Sequence, residues 1–178
     1  MRFTRTARLL ASAAALAASA LCLTTPQAVA APAGSAAVSA TANCMDTCVL
    51  GVRAATHSDH DRLVIDLGAG PIPQWSAGVQ VGGNLTMGEG AVMPIQGDEY
   101  LKLYLHRATT FDFTTSTPVY TSPLYQTYAF PSLKGQGQFQ YVDSSVREFH
   151  MGLALGDYSS YKVFALTAPN RIVVDVYH

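Results

Sequence analysis

The residues best equipped for chemistry are crowded into His57-Ser58-Asp59-His60-Asp61. Two imidazoles and two carboxylates within five positions could touch a metal, and imidazole suits zinc. A catalytic zinc wants a third protein ligand, for which His106, His150 and His178 remain. The plainer reading is a solvated turn between two strands, where Asp and Ser are at home. That turn is the expectation, with no metal and no cofactor. A Gly-x-Ser-x-Gly nucleophile elbow occurs nowhere. Gly135-Gln136-Gly137, after Lys134, is too short for a phosphate-binding loop and has no helix behind it, so it reads as a turn. Asp66 and Asp175 could be imagined as an acid–base pair. Arg62 and Arg171 lie four positions from them on their own segments, which points to structural charge pairing instead. No catalytic residue is assigned, and the chain is expected not to be an enzyme.

The best working surface is a stripe. In Tyr100 to His106, Leu101, Leu103 and Leu105 alternate with Tyr100, Lys102, Tyr104 and His106. Period-two alternation puts these sets on opposite faces of a strand. The polar set would form an aromatic and cationic stripe. Sugar rings stack on aromatic faces, and Lys102 could meet carboxylates on a ligand. The plain alternative is an ordinary solvent face with strand-favouring Tyr. Glycan binding requires Tyr100 and Tyr104 to be exposed together. Trp75, the single Trp, is either a core plug or part of such a rim.

These residues need strands to hold them. Period-two runs separated by Gly, Pro, Asn and Ser predict strands over 49–56, 62–67, 75–81, 100–106, 125–130, 137–143, 146–155, 161–166 and 171–177. No stretch carries a convincing helical stripe. The predicted fold is all-β, an antiparallel two-sheet β-sandwich, with a closed barrel as the alternative. A Thr/Ser/Pro-rich loop over 107–123 interrupts the pattern.

Two of the strands are nearly the same. Asp61-Arg62-Leu63-Val64-Ile65-Asp66-Leu67 returns as Asn170-Arg171-Ile172-Val173-Val174-Asp175-Val176. A spacing this wide is too long for a solenoid period and suggests internal pseudo-two-fold symmetry. Within one copy the Arg and Asp lie about 13 Å apart, too far to pair. If the copies pair antiparallel about the two-fold, one register sets Arg62 opposite Asp175 and Arg171 opposite Asp66. Such pairs contribute about 0.2–1 kcal/mol each and resist a one-residue slip.

The ends and the composition set the context. Arg2, Arg5 and Arg8, then an apolar stretch from Leu9 to Leu23, then Ala28-Val29-Ala30 read as a signal peptide over 1–30. The apolar run is too short for a membrane span, and Leu21 before Cys22 does not fit a lipoprotein signal. Residues 31–43 read as a flexible linker, and 44–178 as one domain. Losing the three arginines from the 11 basic residues leaves eight against 12 acidic ones. A mildly acidic chain without a basic run argues against nucleic acid as a partner. In an oxidising compartment Cys44 and Cys48 are expected to pair as a local clamp. Metal binding or redox exchange is the lesser alternative.

The arrangement of motifs resembles the AMIN domain, and more closely the AMIN-like proteins of secreted bacterial proteins and lipoproteins. His60 to Leu67, Tyr158 to Leu166 and Ala168-Pro169-Asn170-Arg171-Ile172-Val173-Val174-Asp175-Val176 carry the likeness, which covers roughly residues 48 to 178. It implies a β-sandwich without enzymatic activity, acting at the cell envelope. AMIN domains are targeting modules thought to bind peptidoglycan. No amidase or secretin domain is expected beside this one. The expected partner is a cell-wall glycan, with the chain a monomer. The alternative is an extracellular protein-interaction or inhibitor module that presents the 107–123 loop.

Overall fold

The computed structural model describes residues 42–87, 90–139 and 147–178. The expected signal peptide and nearly all of the expected linker lie outside the described residues. The rest is built from strands, without a helix among the described residues.

The first five-stranded sheet contains β1 (Thr47–Thr56), β2 (His60–Leu67), β7 (Ala108–Thr109), β13 (Ser160–Leu166) and β14 (Arg171–Tyr177). Their order is β13-β14-β2-β1-β7. The second contains β3 (Gln74–Val81), β6 (Glu99–His106), β10 (Tyr125–Thr127), β11 (Leu133–Phe139) and β12 (Glu148–Leu155). Its order is β10-β11-β12-β6-β3. Two minor ladders join β4 (Thr86–Met87) to β5 (Ala91–Val92), and β8 (Phe111–Asp112) to β9 (Thr117–Pro118). The large sheets pair antiparallel throughout, except where β1 meets β7 in parallel at Thr47–Cys48.

The fold is the expected all-β sandwich. Leu63, Ile65, Ile172, Val174 and Val176 of the first sheet share one buried cluster with Leu101, Leu103, Leu105, Phe149, Met151 and Leu153 of the second. Alternation in each strand places these side chains inward, and each such burial is worth about 1.5–3 kcal/mol. The Tyr158 hydroxyl donates to Glu99 at 2.7 Å, tying the approach to β13 to the second sheet. That bond to a carboxylate pushes the phenol up to about 12. At the entrance to β1, Cys44 and Cys48 form a disulfide. Between the two cysteines, Asp46 gathers Arg107 and Arg147 at 2.6 and 2.7 Å.

The duplicated strands lie side by side at the centre of the first sheet. β14 pairs β2 with Arg171 opposite Asp66 and Asp175 opposite Arg62. Each is the second strand of a hairpin, β1–β2 and β13–β14, so the two hairpins are related by a local two-fold. Only one of the two charge pairs closes. Arg62 donates through Nε and Nη2 to Asp175 at 2.6 and 2.7 Å. Asp66 instead accepts from Arg53 of β1 at 2.9 and 3.1 Å. Arg53 stands opposite Val64, a diagonal neighbour within reach of a long side chain. Among the described residues, Arg171 is left with one side-chain bond, from Nε to the Pro169 carbonyl at 3.2 Å.

Two local expectations are corrected. Gly135-Gln136-Gly137 is not a turn but part of β11, which spans Leu133–Phe139 rather than 137–143. Residues 140–146 lie outside the described residues. The glycines are there for close approach, as the site shows. The 107–123 loop is not irregular throughout either, since it contains β7 and the β8–β9 hairpin.

Candidate functional site

The outer face of the second sheet carries the predicted stripe, and half of that face is roofed over. Residues 84–87 and 90–97 set Leu85, Met93 and Ile95 into a second buried cluster over it, with Tyr100, Phe139 and Ala154. Glycines make room for this layer. A Cβ on Gly152 would collide with Leu85, and one on Gly135 would lie 2.7 Å from the Gln126 carbonyl oxygen and 2.9 Å from Ile95. Tyr100 is consequently 0% exposed, and its hydroxyl accepts the Gly97 N–H at 3.2 Å. The expectation that Tyr100 and Tyr104 stand together on an open face is therefore wrong. Alternation assigned Tyr100 to the correct face, but it could not show that another segment covers that end.

The other half stays open. Register sets Ser76 of β3 beside Tyr104, Gly78 beside Lys102 and Gln80 beside Tyr100. Ser76, Gly78, Gln80, Lys102 and Tyr104 line one shallow hollow. Gly78 forms open floor, since nothing lies within 4 Å of a Cβ built there. Tyr104 is half-buried against the second cluster and meets the ring of His150 edge-on at 4.3 Å. Lys102 is half-buried at the centre of the hollow. Trp75, the other site candidate, belongs to the opposite face of β3, because it pairs with the inward Leu105. β3 is an edge strand, so its indole is partly in solvent, neither a sealed core plug nor a wall of this hollow.

His106 continues the stripe into a hydrogen-bonded chain. Its Nδ1 lies 3.1 Å from Glu148 Oε1, and His150 Nε2 lies 2.9 Å from Glu148 Oε2. Those two bonds, that from His150 foremost, hold the Glu148 carboxyl below its usual range. The Ser76 hydroxyl stands 3.5 Å from His106 Nε2. Serine, imidazole and carboxylate thus follow the order of an activated nucleophile. The contact to serine is at the outer limit of a hydrogen bond. The His106 and Glu148 side chains are 43% and 39% exposed, whereas catalytic electrostatics depend on excluding water.

The His57–Asp61 cluster is a hairpin turn, with His57 N–H bonded to the His60 carbonyl at 2.8 Å. His60 bonds Asp59 at 2.7 Å and stacks on His57. The hydrogen bond from His60 lowers the Asp59 carboxyl. Asp61 turns the other way. It is fully buried and accepts the Ser132 and Leu133 N–H groups at 2.7 and 2.9 Å. No group of three or more metal-ligating side chains occurs among the described residues. Arg62 and Asp175 form the structural pair already described, while Asp66 and Arg171 do not pair with each other.

One family matches this chain, the AMIN-like domain, over residues 47–178. The chain belongs to the AMIN-like domain family. The match begins at the first residue of β1 and runs through both sheets to the end of β14, so it spans the sandwich and both faces described here. In general terms this AMIN-like domain is a peptidoglycan-related binding module, and family and disulfide together fit a protein that works outside the cytoplasm. No curated protein matches the chain. Among the described residues no helix is long and apolar enough to cross a membrane. Sequence reasoning missed Ser76, Gly78, Gln80 and Glu148. The first three are uncharged strand residues, which carry no chemical signal until a neighbouring strand sets them beside a lysine and a tyrosine, and Glu148 gains its meaning only from the pairing that brings His106 beside it.

Proposed function

We propose that this AMIN-like chain is a secreted, non-catalytic module that binds a wall polysaccharide through the open half of its second sheet. The observation that carries the reading is the hollow over Gly78. It joins an aromatic edge, Tyr104, to a cation, Lys102, and to the neutral hydrogen-bonding groups of Ser76 and Gln80. A sugar ring offers C–H groups to the tyrosine and hydroxyls to the amide and serine, and a carboxylate on the polymer meets the lysine. Exposure of His106 and Glu148 supports binding rather than catalysis.

The test is co-sedimentation of residues 31–178 with insoluble purified cell wall. Wild type is expected in the pellet, with at least a several-fold loss for Tyr104→Ala and for Gly78→Val. The valine fills the hollow from a position where a Cβ meets nothing, so its melting temperature should hold. Equal retention of all three proteins would rule out this face. No retention of the wild type would rule out wall binding.

The second reading, docking to an extracellular protein, has one observation in its favour. The β8–β9 hairpin exposes residues 114–118 on a fixed base. The Thr114 N–H donates to Asp112 at 2.8 Å, and the Asn43 amide donates to Thr114 at 3.2 Å.

A further inference from the structure

The unmatched arginine of the two-fold borders a second hollow. It lies on the outer face of the first sheet, the opposite side of the sandwich from the proposed glycan face. Arg53, His57, Arg62 and Arg171 stand around it with Leu166, and Val64 and Val173 line it as well. Val64 and Val173 are only 6% and 1% exposed, although alternation points them outward. They are the apolar floor.

The charges on this face do not balance. Register brings Arg53, Arg62, Lys162 and Arg171 to it, against Asp66 and Asp175. The chain as a whole carries 12 acidic and 11 basic residues, so the excess is local. Asp175 is occupied by Arg62 and Asp66 by Arg53. Lys162 lies over the Phe164 ring, 5.4 Å from its centroid, and does not line the hollow. Arg171 does line it, and its Nε is tied to the Pro169 carbonyl. That bond orients the guanidinium and leaves both terminal nitrogens without an acceptor among the described residues. Two parallel N–H donors are the geometry that carboxylates and phosphates take in bidentate fashion.

We propose that the Arg171 hollow is a binding site for a compact anion, a carboxylate or phosphate on a small aliphatic body. The anionic oxygens lie against the Arg171 fork, within the field of Arg53 and Arg62. The aliphatic part rests on Val64, Val173 and Leu166. The site arises because the duplication supplies two arginines and β1 diverts the second carboxylate. It does not depend on the glycan reading, since no residue is shared between the two hollows.

The experiment is an NMR titration of the protein recovered from culture medium, at pH 7 and constant ionic strength. One arm uses N-acetylalanine and the other glycerol phosphate. Saturable shifts are expected for the amides of Val64, Leu166, Arg171 and Val173. Tighter binding in the first arm identifies a peptide-type carboxylate, and in the second a phosphoester. Arg171→Gln is expected to weaken binding at least tenfold, and Arg171→Lys less, because charge remains but the fork is lost. Lys162→Gln removes the same charge from the same face outside the hollow, and should leave affinity within twofold. Equal weakening by Lys162→Gln and Arg171→Gln would reduce the effect to a diffuse field and overturn the site. Shifts that are absent, or that spread without saturating, would overturn it too. If Arg171→Gln unfolds, the comparison of Arg171→Lys with Lys162→Gln decides. Wall retention of Arg171→Gln is expected to be unchanged, which separates this result from the fate of the glycan face.

Discussion

Arg62 and Arg171 occupy equivalent places in a duplicated motif, yet they have different neighbours and should respond differently to removal. Arg62 neutralises Asp175, which is only 4% exposed, and the hydrogen bond it donates to that carboxylate raises the guanidinium still further. Breaking a buried pair strands the remaining charge. With Arg62 itself partly in solvent, Arg62→Ala is expected to cost about 1–3 kcal/mol. Arg171→Ala strands no carboxylate and should stay within about 0.5 kcal/mol of wild type. Urea denaturation of the two variants checks the contrast. Asp61 is a third residue whose role lies in its partners. Asp61→Ala orphans two buried N–H groups, each costing about 1–3 kcal/mol, and the same denaturation curves should show it as the most damaging of the three. Glu148 adds a pH dependence. Its carboxyl sits below its ordinary value of 4.5, so its stabilisation is fully present above that value and fades as pH falls through the lower, folded-state value. The difference in melting temperature between wild type and Glu148→Gln should therefore be largest at neutral pH and shrink below about pH 4.5.

Among the elements, the layer that carries Leu85, Met93 and Ile95 decides most. It roofs one end of the second sheet only because β11 and β12 present glycines beneath it. Gly152→Ala forces a methyl into Leu85, and overpacking of this kind typically costs about 1–3 kcal/mol. The expected signature in thermal melts is a clear loss for Gly152→Ala beside no loss for Gly78→Val, two glycines that flank Lys102 of β6 from either side in one sheet. Much of this level was legible beforehand. Strands at 49–56, 62–67, 75–81, 100–106, 161–166 and 171–177 were readable from alternation, and the register of the duplicated pair followed from charge complementarity alone. The shift of β11 to Leu133–Phe139 was not readable. Glycines that mark turns in isolation mark close packing when a second layer lies over them, and sequence does not distinguish these uses.

At the scale of the molecule, the sandwich offers two outer faces with different chemistry. One is a neutral and aromatic hollow with a single lysine, and the other an arginine-rimmed hollow. The disulfide fastens the start of β1 beside Leu50 and Val119. So short a loop removes little chain entropy, about 2 kcal/mol on the entropic model, and the Cys44→Ala/Cys48→Ala variant should melt only a few degrees lower and keep its strand content by circular dichroism. The sequence by itself determined the fold class, the central pairing of the repeated strands and the membership that those strands signal. These rest on local periodicity and on charges that complement one another at fixed spacing. Only the tertiary structure decided which side chains are available for binding. Tyr100 and Tyr104 share a face, but a distant segment buries one of them. Asp66 faces Arg171, but a flanking strand takes it. Exposure and partner choice depend on what third element arrives at a strand, and that information is spread over contacts far apart in the chain.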